Sequence, residues 1–150
     1  MLISVRRLKV VILVFLLLVI TFVAFSPALK NAFNYDDDIY IKENRFIKSL
    51  SLYNVERIFT SFFAGHYQPV SILTYLFEYR FFGLNPHPYH LTNILFHSFN
   101  CLLVFWLFYL IGGRVLSAWI IAVLFVVHPL RVESVVWISE RKDVAYAFFS

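Results

Sequence analysis

The run Asn34-Tyr35-Asp36-Asp37-Asp38 sets three carboxylates side by side just after an uncharged stretch, Val10 to Phe25, that approaches membrane-spanning length. Adjacent acids repel one another and gain nothing from hydrocarbon, so their uses are narrow: a general base, a cation site, or a solvated turn. A carboxylate at the edge of an apolar bundle has its pKa raised by desolvation and by its neighbours. That suits it to removing the proton of an acceptor hydroxyl as the oxygen attacks. Asp36, Asp37 and Asp38 are therefore the candidate catalytic residues. Those not acting as base could position the acceptor or hold a divalent cation through oxygen ligands; the plain alternative is an Asx turn in a solvated loop.

His90, Asn93 and His97 fall at i, i+3 and i+7, a polar stripe that in a membrane helix must face the bundle or a wet cavity. The histidines stand about 10 Å apart by helical rise, too far to grip one zinc ion together, so interhelical hydrogen bonding is their expected use. Arg131, Arg141 and Lys142, with His128 nearby, could neutralise a phosphate. The alternative is pairing with Glu133, Glu140 and Asp143, plus snorkelling. No nucleotide-binding loop is present, since none of the four glycines sits in a phosphate-cradling pattern. A reaction here would draw its donor from the bilayer and its acceptor from the external compartment.

These groups need elements to position them. The chain has 150 residues, 61% hydrophobic and 20% aromatic, with only 15% charged, and its mean hydropathy is +0.75. That is more apolar surface than one soluble core of this length buries, so the chain reads as an all-α integral membrane protein. Its 13 Lys and Arg are scattered, which excludes a nucleic-acid interface. Cys101 lies in an apolar run as small filler, with no second cysteine to pair with.

Span one is expected over about 8–26, with Arg6, Arg7 and Lys9 placing the N-terminus in the cytoplasm. Its length, and Pro27 after Ser26, favour an uncleaved anchor over a signal peptide. Span two is expected over 91–111, span three over 115–127, and a fourth starts at 144–150 and stops at Ser150, as if cut short. External loops then cover 28–90 and 128–143 and gather Asp36, Asp37, Asp38, Glu78, His90, His128, Arg131, Glu133, Glu140, Arg141, Lys142 and Asp143 on one outer face. Within the first loop, Asn54 could cap an amphipathic helix carrying Val55, Ile58, Phe59, Phe62 and Phe63. A second helix should run from Pro69 to Gly83, after which Asn85, Pro86, His87 and Pro88 should keep the chain irregular.

An ordered set of motifs carries a resemblance. Phe33 to Asp38 followed by Asn44, then Tyr67-Gln68-Pro69-Val70-Ser71, Gly83-Leu84-Asn85-Pro86, Tyr89 to Asn93 with His97, and His128 to Val135 with Arg141-Lys142-Asp143, resembles the N-terminal part of bacterial relatives of the transmembrane and tetratricopeptide-repeat O-mannosyltransferases. These look like GT-C fold glycosyltransferases. The resemblance implies a GT-C-like helical bundle in a bacterial inner membrane, transferring mannose or another hexose from a polyprenyl-phosphate donor to a protein or glycan acceptor. It gives the base role to Asp36 or Asp37, with Asp38 third, and the donor-phosphate side to the segments around His128 to Glu133 and Arg141 to Asp143. Glu78, His90, Asn93, His97, Glu133 and Asp143 would support the site. Two other classes stay open: a non-catalytic membrane adaptor whose aspartates only solvate a loop, and a transporter fragment using the polar stripe as its path.

Overall fold

A computed structural model describes residues 2–149. It is helical, with no strand among the described residues beyond a lone bridge between Phe63 and His66. Helix α1 (Leu2–Phe25) is apolar all round from Val10 onward, and Val11, Phe15 and Val23 stay more than 60% exposed, an apolar surface of the kind a membrane helix presents. A 3-10 turn over Ser26–Lys30 ends it. Tight turns over Asp38–Lys42 and Arg45–Ile47 follow, then α2 (Leu52–Thr60), α3 (Pro69–Phe82), α4 (Pro86–Gly112) and α5 (Val115–Val127). The last stretch is α6 (Leu130–Val136), a 3-10 turn (Ile138–Glu140) and α7 (Arg141–Phe149). The expected stop at Ser150 lies outside the described residues.

Two helices, α1 with its extension and α4, are long and apolar enough to cross a membrane, and α5 with α6 makes a third crossing if that pair, bent by 66°, is one span. The protein is an all-α membrane protein. At 13 residues α5 rises only about 20 Å, short of a hydrocarbon core. Pro129, which disfavours a helical His128, accounts for the bend. Span two begins earlier than expected. Asn85 caps α4 by accepting from the His87 amide, and Pro86 and Pro88 fall in the first turn, where a missing N–H leaves no bond unmade. The same logic moves the cap of α2: Ser51 accepts from the Asn54 amide, and Asn54 instead donates to the Ser49 carbonyl and hydroxyl. Phe62 and Phe63 lie beyond that helix, because Ser61 is already extended.

The helices pack as two cores. Leu17, Ile94, Cys101, Phe105, Ala118, Ala122 and Val126 join α1, α4 and α5. Ala118 and Ala122, one turn apart, let α5 approach α4 closely, as small residues do where lipid removes any hydrophobic drive. Trp119 donates to the Leu13 carbonyl across α5 and α1. Arg6 stacks on Tyr109 near the α4–α5 turn, and Phe25 meets His97 at 5.0 Å towards the other end, so α1 and α5 run antiparallel to α4. The second core, with Ile41, Ile47, Ile72, Tyr75, Leu76, Tyr89 and Ile138, knits α2, α3 and the short turns onto the Phe25 end. Each large side chain buried there contributes about 1.5–3 kcal/mol. Helix α7 runs alongside α4 in the same direction, since Arg141 meets Asn93, the Val144 carbonyl accepts from Asn100, and Phe148 packs on Phe96 and Phe99.

Candidate functional site

The three aspartates part company. Asp36 and Asp38 are exposed, and Asp38 spends its charge on Lys42 at 2.6 Å, a surface pair one helical turn apart. Asp37 is 1% exposed. Its Oδ2 accepts from the Asn34 amide at 3.0 Å and its Oδ1 from the Ser139 amide at 2.8 Å, more than a hundred residues along the chain. Burial raises the Asp37 carboxyl above the ordinary 3.8, while these amides and nearby His90 pull it back. The loop that delivers it is strained: Tyr35 has φ of +47°, a left-handed conformation that a bulky side chain rarely adopts, and its ring rests edge-on against Trp137 at 5.8 Å.

Asp37 lines a cleft of about 760 Å³ with Lys30, Asn34, His90, Glu133 and Trp137. The cleft thus holds a desolvated carboxylate, an imidazole, a second carboxylate and one lysine. Lys30 escaped the sequence reading; its signal was its place eight residues after Phe22 of a charge-free run and seven before Asp37, the first cation past the span. Such a set can take a proton from a hydroxyl and can face a phosphate. Among the described residues no group of three or more His, Cys, Asp or Glu converges as metal ligands.

The cations expected at the donor phosphate sit elsewhere. Arg141 is fully buried. Its Nε donates to Asn93 Oδ1 at 2.7 Å, one terminal nitrogen to Glu78 Oε2 at 2.6 Å and to Thr74 Oγ1 at 2.7 Å, and the other to the Tyr89 carbonyl at 2.8 Å, with the guanidinium 4.4 Å above the Tyr75 ring. It is a cross-brace between α3, α4 and α7, with no face left for a ligand. Its partner is Glu78, not Glu133, Glu140 or Asp143, because α3 folds back over the start of α7. Burial pushes the Glu78 carboxyl above the ordinary 4.5, against the pull of the Arg141 charge. Lys142 pairs with Glu140 at 2.7 Å and faces a separate cleft of about 480 Å³ beside Gln68 and Tyr146. Arg131 lies 4.7 Å over the Phe125 ring, exposed His128 accepts from the Leu130 amide, and exposed Asp143 accepts from the Ser134 hydroxyl at 3.4 Å.

The polar stripe faces the bundle. His90, Asn93 and His97 are all buried. Asn93 accepts from Arg141 and donates to the Trp137 carbonyl at 3.0 Å, the interhelical hydrogen bonding the spacing predicts. His97 is packed between Phe25 and Phe125 and touches Cys101. The stripe continues one step further than the sequence reading took it, to Asn100, which donates to the Val144 carbonyl at 2.8 Å. Thr74 and Ser139 gave no such signal.

No family model matches the chain, and no solved structure does. Protein O-mannosyl-transferase tmtc2 of Xenopus laevis is 33% identical over 127 residues, covering 78% of this chain and 15% of the relative. Protein O-mannosyl-transferase TMTC1 of Homo sapiens is 35% identical over 82 residues, 52% of this chain and 9% of the relative. The TMTC3 protein of Mus musculus, of the same description, is 31% identical over 83 residues, 55% and 9% respectively. The chain therefore spans 15% or less of the length of these relatives, and it is related to them distantly and in part.

Proposed function

We propose that this chain is the N-terminal portion of a GT-C type membrane glycosyltransferase that moves mannose or another hexose from a polyprenyl-phosphate carrier to an acceptor hydroxyl, a protein's by the relatives' names. The observation that carries the reading is Asp37: a buried carboxylate, fixed by two backbone amides, lining a cleft at the bundle end where the short helices gather. Three basic residues, Arg6, Arg7 and Lys9, at the opposite end support a cytoplasmic N-terminus and an external cleft.

The acceptor oxygen attacks the anomeric carbon of the sugar, and the bond from that carbon to the phosphate oxygen breaks with its electron pair leaving on the phosphate. Asp37 takes the acceptor proton. A single displacement of this kind inverts the anomeric centre. Lys30 faces the departing phosphate in place of Arg141. A phosphate leaving group needs no protonation, so one base suffices.

The test is sugar transfer from a polyprenyl-phosphate donor by the complete protein. D37N should reduce turnover by about 10²–10⁴-fold with membrane insertion intact, the range that a positioned base supplies, while D36N and D38N keep most of it. Full transfer by D37N refutes the assignment, and loss in D36N alone would move the base role one residue back.

A further inference from the structure

We propose that Arg141 is a positioning residue for Asp37: by fixing Asn93 and the Tyr75 ring, it holds the turn over residues 137–141 so that the Ser139 amide stays on the Asp37 carboxylate. The catalytic consequence rests on the reading of Asp37 as base; the brace itself stands on geometry.

That turn is held at three successive residues. The Trp137 carbonyl accepts from Asn93 Nδ2 at 3.0 Å, the Ile138 carbonyl from the Tyr75 hydroxyl at 2.8 Å, and the Ser139 N–H donates to Asp37 Oδ1 at 2.8 Å. Arg141 controls both holders. A guanidinium only donates, so its Nε, 2.7 Å from Asn93 Oδ1, can meet only the oxygen end of that amide, which leaves the NH₂ end for the Trp137 carbonyl. Its plane lies 4.4 Å from the centre of the Tyr75 ring and sets where the phenol can reach. Glu78, Thr74 and the Tyr89 carbonyl fix the guanidinium in turn.

When either arm is lost the turn relaxes and the Ser139 N–H leaves Asp37. The carboxylate then keeps its burial and only the Asn34 amide, so its charged form is less favoured and its proton comes off at higher pH. The charged and titratable groups facing Asp37 are Lys30, His90 and Glu133 around the cleft, Tyr75 behind it, and Asp36 and Asp38 on its own loop. Neither R141K nor Y75F changes the charge of any of them at neutral pH.

Dicyclohexylcarbodiimide labels protonated carboxyls, and mass spectrometry of the Asp37 peptide across pH reads its protonation on the complete protein, whether or not sugar is transferred. The labelling midpoint should rise by about one pH unit in Y75F and R141K, the loss of one hydrogen bond to a charged group. The acid limb of the transfer profile should move with it, with kcat falling and the acceptor KM steady. An unmoved midpoint in Y75F overturns the proposal, and Y75F decides if R141K fails to fold, because its buried ring is retained. A midpoint that moves in a protein that transfers no sugar sinks the glycosyltransferase reading and leaves the brace standing.

Discussion

Glu78→Leu would strip the only carboxylate partner that Arg141, a guanidinium with no exposed surface, has among the described residues, and so leave a buried positive charge without its counter-ion. Breaking a buried pair from one side costs about 3–5 kcal/mol. In a chain of 150 residues each kcal/mol moves the melting temperature by about 2–4 °C, so a fall of about 6–20 °C is expected. Arg141→Met should cost a comparable amount for a different reason, since it orphans Asn93 Oδ1 and the Tyr89 carbonyl as well as Glu78. The two losses share one interaction. The double variant should therefore fall no further than either single one, a coupling of about 3–5 kcal/mol, the size of one single loss. Thermal unfolding of the detergent-solubilised protein, followed by the emission of its three tryptophans, gives all four corners of the cycle. Additive losses, or a Glu78→Leu variant within about 2 °C of the parent, would refute the buried pair and return Arg141 to the pool of phosphate ligands.

Other outcomes follow from single features. Because burial raises the folded-state value of Asp37 above 3.8, the folded protein binds that proton more tightly than the unfolded chain does, so the Asp37 contribution to stability is present at low pH and lost as pH rises through the folded value. D37N should flatten that part of the stability profile relative to the parent, and parallel profiles would refute the burial of a titrating Asp37. Gly113 ends α4 with φ of +64°, so G113A should destabilise by about 1 kcal/mol although nothing stands within 4 Å of the new methyl, whereas helical G112A should stabilise by about 0.5–1 kcal/mol. Unfolding midpoints separate the two. With Cys101 buried, a cysteine at Leu52, 91% exposed, should react with a membrane-impermeant maleimide from the external side, and one at Arg114 only after the inner side is opened; the reverse pattern would invert the topology.

Much of the architecture was legible because hydrocarbon imposes it. A charge-free run such as Val10 to Phe25 can only be a helix in lipid, the Gly112-Gly113 stop and the bounds of α5 follow from local backbone rules, and the helix from Pro69 to Gly83 was visible in its proline start and glycine end. The failures were also local. The prolines at 86 and 88 signal a break or a helix start by the same residue type, and the cap expected at Asn54 falls instead on Ser51, three residues earlier.

The sequence by itself determined an all-α membrane protein, a bundle-facing stripe from His90 to His97, and an acidic triplet beside the first span. Only the tertiary structure decided which member of the triplet is buried. Asp37 turns inward because Ser139, 102 positions away, offers it an amide, and no spacing rule encodes that meeting. It also decided that Arg141 is a brace: charge and position near the bilayer suit a phosphate ligand and a buried clamp alike, and the choice falls to α3, which brings Glu78 and Thr74 within 2.7 Å before any ligand arrives. Local patterns record what each residue can bond to; the packing of distant helices sets which bond it makes.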